Sequence, residues 1–181
     1  VLKKPLEPQV AKQLNLTKDQ KEALLKSLMT KGGIMKFFIK VDDSNCLPKA
    51  DELVNIMWKK GVNISRIGQQ DSLIIGTSLT LSWGKWLDDE RWRGHSKFKE
   101  YLYFELESIN NEQRLSIEIE EDACFVDFRA LYKVIEFIAE RCNSLISIDK
   151  GKWISLNEYR LKVDDYIKTT FPEAVEKSLL D

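Results

Sequence analysis

Between Met35 and Val41 the side chains alternate, Phe37, Ile39 and Val41 against Lys36 and Lys40, which is the two-residue period of a strand with one buried face. The period changes after Pro48. Ala50, Leu53, Val54 and Met57 recur at helical spacing, and Pro48 suits the first turn of a helix that ends at Gly61. Alternation returns over 62–67 and 73–82, the longer run turning Leu73, Ile75, Thr77, Leu79 and Leu81 one way. Two further alternating runs, KEYLYFELES and RLSIEIEED, flank INNE and predict a hairpin.

If Ser108 lies opposite Gln113, then Leu102, Phe104 and Leu106 pair with Ile119, Ile117 and Leu115 on the core side. Tyr101, Tyr103, Glu105, Glu107, Ser116, Glu118 and Glu120 then share the other side, with Tyr103 opposite Glu118 and Tyr101 opposite Glu120. From 125 to about 142, Phe128, Leu131, Tyr132, Ile135, Ile138 and Cys142 belong to a stripe that predicts the most buried helix. A short apolar piece at 145–148 and a turn at 149–151 follow. The last helix opens on a capping box, Ser155 with Glu158, and Pro172 interrupts it, with another turn or two expected over 173–180.

Ahead of all this, Thr17 and Gln20 have capping-box spacing, Leu24, Leu25, Leu28 and Met29 give a helical stripe, and Gly32 and Gly33 supply a stop. The glycine pair divides the chain into 1–33, an N-terminal helical appendage or linker, and 34–181, a single domain. The order of elements predicts an α+β fold: a mainly antiparallel sheet of five or six strands covered by helices, with ferredoxin-like or other split βαβ elements compatible with it.

Composition narrows the function classes. With 43% hydrophobic and 31% charged residues the chain reads as globular, and no apolar run approaches the roughly 20 residues that cross a bilayer. The start, VLKKPLEPQV, lacks the apolar stretch of a signal peptide. Cys46, Cys124 and Cys142 are odd in number and far apart, so reduced thiols and a cytoplasmic setting are expected. A single histidine, His95, argues against a zinc site, and the acid clusters Asp42–Asp43, Asp88–Glu90 and 118–122 read as solvated, so no metal or cofactor is expected. Neither a phosphate-cradling glycine loop nor a nucleophile elbow is present.

Charge is uneven: residues 1–100 carry 18 basic and 12 acidic side chains, and 101–181 carry 10 and 17, so a charged partner is expected to prefer one side. The stretch SWGKWLDDERWRGH gathers Trp83, Trp86 and Trp92, three acids, two arginines and His95. It reads either as a Trp-anchored connection over the sheet edge or as a contact loop, since Trp and Arg are enriched at interface hot spots.

The leading expectation is a non-catalytic protein-binding domain that holds a basic partner. Its contact residues would be Tyr101, Tyr103, Glu105, Glu107, Glu118 and Glu120 of the hairpin, helped by Trp86 and Trp92. A bacterial immunity protein that neutralises a toxin is the concrete form, by class-level analogy of size and acidic face. An enzyme working through Asp88, Asp89, Glu90 and His95 is the alternative from another class. A helix-turn-helix regulator over 8–29 is a third, and nucleic acid is disfavoured because the first helix would be short and proline-flanked and the usual turn glycine is absent.

Overall fold

The alternating runs assemble into one sheet. The computed structural model describes residues 33–68, 71–73, 75–97, 100–148 and 151–180. Its strands are β1 (Ile34–Val41), β2 (Ile64–Ile67), β3 (Ser78–Trp83), β4 (Leu102–Ile109), β5 (Glu112–Glu120) and β6 (Ile146–Ile148). They lie in the order β2-β3-β4-β5-β1-β6, and every neighbouring pair is antiparallel. β5 and β6 therefore run parallel on either side of β1, and the chain between them is the longest helix. That is a split βαβ unit, as the element order suggested.

Among the described residues six α-helices accompany the sheet: α1 (Ala50–Met57), α2 (Lys85–Asp88), α3 (Phe125–Arg141), α4 (Leu156–Lys162), α5 (Asp164–Lys168) and α6 (Phe171–Leu179). The core is a single cluster in which Phe37, Ile39, Phe104, Leu106, Leu115 and Ile117 of the sheet meet Leu131, Val134, Ile135 and Ile138 of α3. Each such side chain removed from water contributes about 1.5–3 kcal/mol, which is why the stripes in the sequence specify the layers.

The hairpin forms in the expected register, Phe104 opposite Ile117, Leu106 opposite Leu115 and Ser108 opposite Gln113. Its turn is tighter than INNE suggests. Ile109 pairs with Glu112, and Asn110 and Asn111 alone make the turn with φ of 52° and 65°, the backbone of a two-residue hairpin loop whose twist matches the strands.

Three expectations are corrected. The strand predicted over 73–82 begins only at Ser78, because Gly76 turns the chain with a φ of 78° and donates its N–H to the Leu106 carbonyl instead of continuing a ladder. The last helix, expected to run from Ser155 up to Pro172, breaks sooner, at Val163 and Thr169, and Pro172 opens α6, the further turns expected after it, behind the cap Thr170, whose side chain and that of Glu173 satisfy each other's backbone N–H. Cys46 and Cys142 are not free thiols: they are disulfide-bonded across 5.3 Å between α-carbons, joining the turn after β1 to the end of α3. The helix expected before Gly32, the proposed 1–33 boundary and the helix-turn-helix candidate over 8–29 lie outside the described residues.

Two polar ties fix the last helices. Arg129 of α3 is buried and donates to the Thr169 carbonyl at 2.6 Å and the Met57 carbonyl at 3.3 Å. Ser178 of α6 accepts the Val126 N–H at 2.8 Å, so the C-terminal helix is held against the first turn of α3. α6 thereby stands beside the segment that follows β3.

Candidate functional site

The tryptophan segment is built on a buried foundation. β3 ends at Trp83, and the chain then makes α2 and a 3-10 turn, Glu90–Trp92. Trp92 turns inward and is fully buried, meeting Trp83 and His95 edge-on at 6.1 and 4.9 Å between ring centres. Beneath it Lys85 is excluded from water. Its Nζ donates to Asp127 Oδ2 at 2.6 Å and to the Lys97 carbonyl at 2.8 Å, and lies 5.0 Å from the Trp92 ring centre. The Cys124 thiol donates to the same Asp127 oxygen at 2.8 Å.

Above this foundation the segment faces α6 across a cleft of about 680 Å³ lined by Lys59, Trp83, Asp88, Asp89, Glu90, Arg91, Phe171, Pro172, Val175 and Glu176. Its floor is aromatic, Trp83 and Phe171 lying 5.1 Å apart between ring centres. Its rim is acidic, four carboxylates against two cations. Asp88 accepts from the Asn63 N–H at 2.8 Å, the Trp83 indole at 2.7 Å and the Asn63 side chain. Partial burial opposes its ionisation, but these donors hold its carboxyl below the usual range. Asp89 is lowered chiefly by the Arg91 side chain, which donates to it, although burial again opposes.

Arg91 spans the cleft. Its Nη2 donates to Asp89 Oδ2 at 2.7 Å and its Nη1 to Glu176 Oε1 at 2.8 Å, so one guanidinium joins the 3-10 turn to α6. Lys59 Nζ sits 5.7 Å from the centre of the Phe171 ring. The arrangement offers a cation both a π-face and carboxylates, and it holds no group placed as a nucleophile.

The hairpin face is less acidic than the sequence of the hairpin implies. Tyr103 lies opposite Glu118 and its hydroxyl donates to Glu105 at 3.0 Å. The strand order, however, sets β1 beside β5. Lys36 pairs with Glu118 at 2.7 Å, Lys40 lies 3.7 Å from Glu112, and Glu120 lies 3.8 Å from Lys97. Lys40 and Arg114 both stand 5.6 Å from the centre of the Trp153 ring. Phe38, Thr80, Ser116 and Ser147 of this face are buried. On this face, lysines of the first half of the chain thus stand among acids of the second. Glu105, Glu107 and Tyr103 remain partly accessible, as does Tyr101.

Of the tryptophans named as contacts, Trp86 is 41% exposed, and Trp92 is an inward anchor with no surface of its own. His95 accepts the Lys97 N–H through Nδ1 and does not line the cleft, so the segment's acids and its histidine are not brought together. Cys124 is buried, and burial first, then the Asp127 charge, push its thiol up to about 12, which leaves no thiolate. Lys59, Phe171, Pro172, Val175 and Glu176 escaped the sequence reading. The Thr170–Glu173 capping box around Pro172 marks a helix start there, but nothing local says that this helix faces the tryptophan segment.

Among the described residues no cluster of three or more His, Cys, Asp or Glu side chains is placed to hold a metal ion, and no helix is long and apolar enough to cross a membrane. Fold and site define an α+β domain with an acid-rimmed aromatic cleft. No family model matches the chain, and comparison with curated proteins returns no match.

Proposed function

We propose that this chain is a non-catalytic protein-binding domain that holds a basic partner, in the manner of a bacterial immunity protein that neutralises a toxin. The observation that carries the reading is the cleft, where Asp88, Asp89, Glu90 and Glu176 surround the Trp83–Phe171 floor. Aromatic area supplies contact energy and the carboxylates select charge. Tyr101, Tyr103, Glu105, Glu107, Glu118 and Glu120 of the hairpin act in encounter, as a face whose acids are shared with Lys36, Lys40 and Lys97. Trp86 contacts the partner directly, and Trp92 supports the segment from beneath.

An enzyme in the same segment is the weaker reading, because His95 points elsewhere and Cys124 is inert. The Cys46–Cys142 bond favours an oxidising compartment over the cytoplasmic setting that the cysteine count suggested, since disulfides persist mainly where the solvent is not reducing.

Co-expression with the product of the gene adjoining this one tests the reading. The neighbouring product is expected to arrest growth alone, to be harmless with this chain present, and to co-purify with it. Protection that survives Asp89→Lys with Glu176→Lys, or a neighbour that is harmless by itself, overturns it.

A further inference from the structure

The cleft is already occupied at its rim by one of the chain's own cations. Arg91 places Nε and Nη2 on the two oxygens of Asp89 and Nη1 on Glu176, at 2.7–3.1 Å. Two carboxylates from two separate elements are therefore spaced for a planar fork of donors, which a guanidinium has and an ammonium lacks. Asp89 is 23% exposed, and the Arg91–Glu176 pair is open to solvent, its side chains 54% and 62% exposed. Exposed pairs of this kind hold weakly and exchange readily. Below them lies the partly exposed Phe171 ring, backed by the buried Trp83, the kind of surface on which a guanidinium stacks, and Phe171 already has the Lys59 ammonium over its ring.

We propose that the cleft is a receptor for an arginine side chain of the partner, and that Arg91 is the internal stand-in which that arginine displaces. This rests on the reading of the chain as a binder of basic proteins and names the chemistry it selects. The incoming guanidinium takes over the Asp89 and Glu176 oxygens while its plane lies on Phe171, which the buried Trp83 backs. Arg91 swings outward into solvent, and the apolar side of Val175 and Pro172 covers the aliphatic stem. Because Arg91 competes for the same carboxylates, removing it raises the affinity of the site, since the fraction of molecules with the site vacant rises.

The probe is a capped Gly-Arg-Gly peptide, with the lysine and citrulline peptides as comparisons, titrated into 15N-labelled protein. The Trp83 indole N–H, which donates to Asp88 at 2.7 Å, reports from the cleft floor. The arginine peptide is expected to shift that resonance, the lysine peptide to do so at least about fivefold more weakly, and the citrulline peptide not at all, because guanidinium pairing needs both planarity and charge. Arg91→Ala is expected to tighten the arginine peptide about threefold to tenfold, and Asp89→Asn with Glu176→Gln to abolish the shift, while the Trp92 indole resonance stays in place as a control for folding. Unchanged or weaker binding in Arg91→Ala overturns the stand-in. Equal shifts by arginine and lysine peptides overturn the selectivity while leaving a binder of basic partners intact. No shift by either peptide removes both.

Discussion

Lys85 and Asp127 meet at 2.6 Å with their side chains 0% and 1% exposed, an ion pair in the interior of the domain. It lies under Trp92 and joins α2 to the first turn of α3, so the tryptophan segment is anchored by charge as well as by ring packing. Lys85→Met alone leaves Asp127 buried without its cation, and the expected cost in urea unfolding is about 3–5 kcal/mol. Adding Asp127→Leu is expected to recover most of that loss, because a buried pair is replaceable by apolar volume far more cheaply than it is broken. Equal stabilities of the single and double variants would show that the two groups are not coupled.

Close by, Glu100 is buried with Asp127 and Glu120 as neighbours. Burial first, and then those two charges, push its carboxyl up from 4.5 to about 7, with Lys97 and Lys85 opposing. A folded-state value above the unfolded one means that the fold favours the protonated acid. Its stabilising contribution is therefore complete below about pH 4.5 and is lost as the pH rises through 7. Glu100→Gln is expected to remove this fall, so that relative to wild type it gains up to about 3 kcal/mol between pH 4 and pH 8. Parallel stability curves for the two proteins across that range would contradict the assignment.

The two tryptophans named together in the sequence separate in the structure. Trp92→Ala is expected to cost about 3–5 kcal/mol, as a large buried side chain does, and Trp86→Ala to change the melting transition by no more than about 1 kcal/mol. A comparable loss in both would place Trp86 in the core.

Thiol labelling of the unreduced, denatured protein reads the cysteine pairing directly. One reactive thiol, Cys124, is expected of the three cysteines; three would contradict the bond. The bond closes a separation of 96 residues, and Cys46→Ser with Cys142→Ser is expected to cost about 2–5 kcal/mol, the range for links that restrict a long unfolded loop.

Local patterns were legible wherever one period ran unbroken beside a buried face. The hairpin register followed from Leu102, Phe104 and Leu106 alternating against Leu115, Ile117 and Ile119, since a one-residue slip would turn all of them to water. The α3 stripe, predicted over 125–142, is observed at Phe125–Arg141. What stayed hidden was which elements become neighbours. Lys36 and Lys40 read as the solvent side of β1, and only the placement of β1 next to β5 makes them partners of the hairpin acids. Cys46 and Cys142, far apart in the chain, read as reduced thiols, and their meeting depends on how the turn after β1 packs against the end of α3. The tryptophan segment was visible as one wall; the facing wall, Phe171 to Glu176, lies some 80 positions away and meets it only through the docking of α6.

The central claim, that the cleft and the hairpin face hold a basic partner in different ways, is tested most directly by the rates of complex formation with that partner across a range of salt. Asp89→Lys with Glu176→Lys is expected to raise the dissociation rate about tenfold or more, because those carboxylates sit at the contact. Glu105→Lys with Glu107→Lys is expected to slow association and flatten its salt dependence, with dissociation little changed, because partly exposed charges steer the encounter. Glu105→Lys with Glu107→Lys should fold with stability within about 1 kcal/mol of wild type, and Asp89→Lys with Glu176→Lys should still melt cooperatively with a loss of about 1–2 kcal/mol, since Asp89 caps the Glu90–Trp92 turn. Folded variants whose association and dissociation rates equal those of wild type at every salt concentration would contradict the claim.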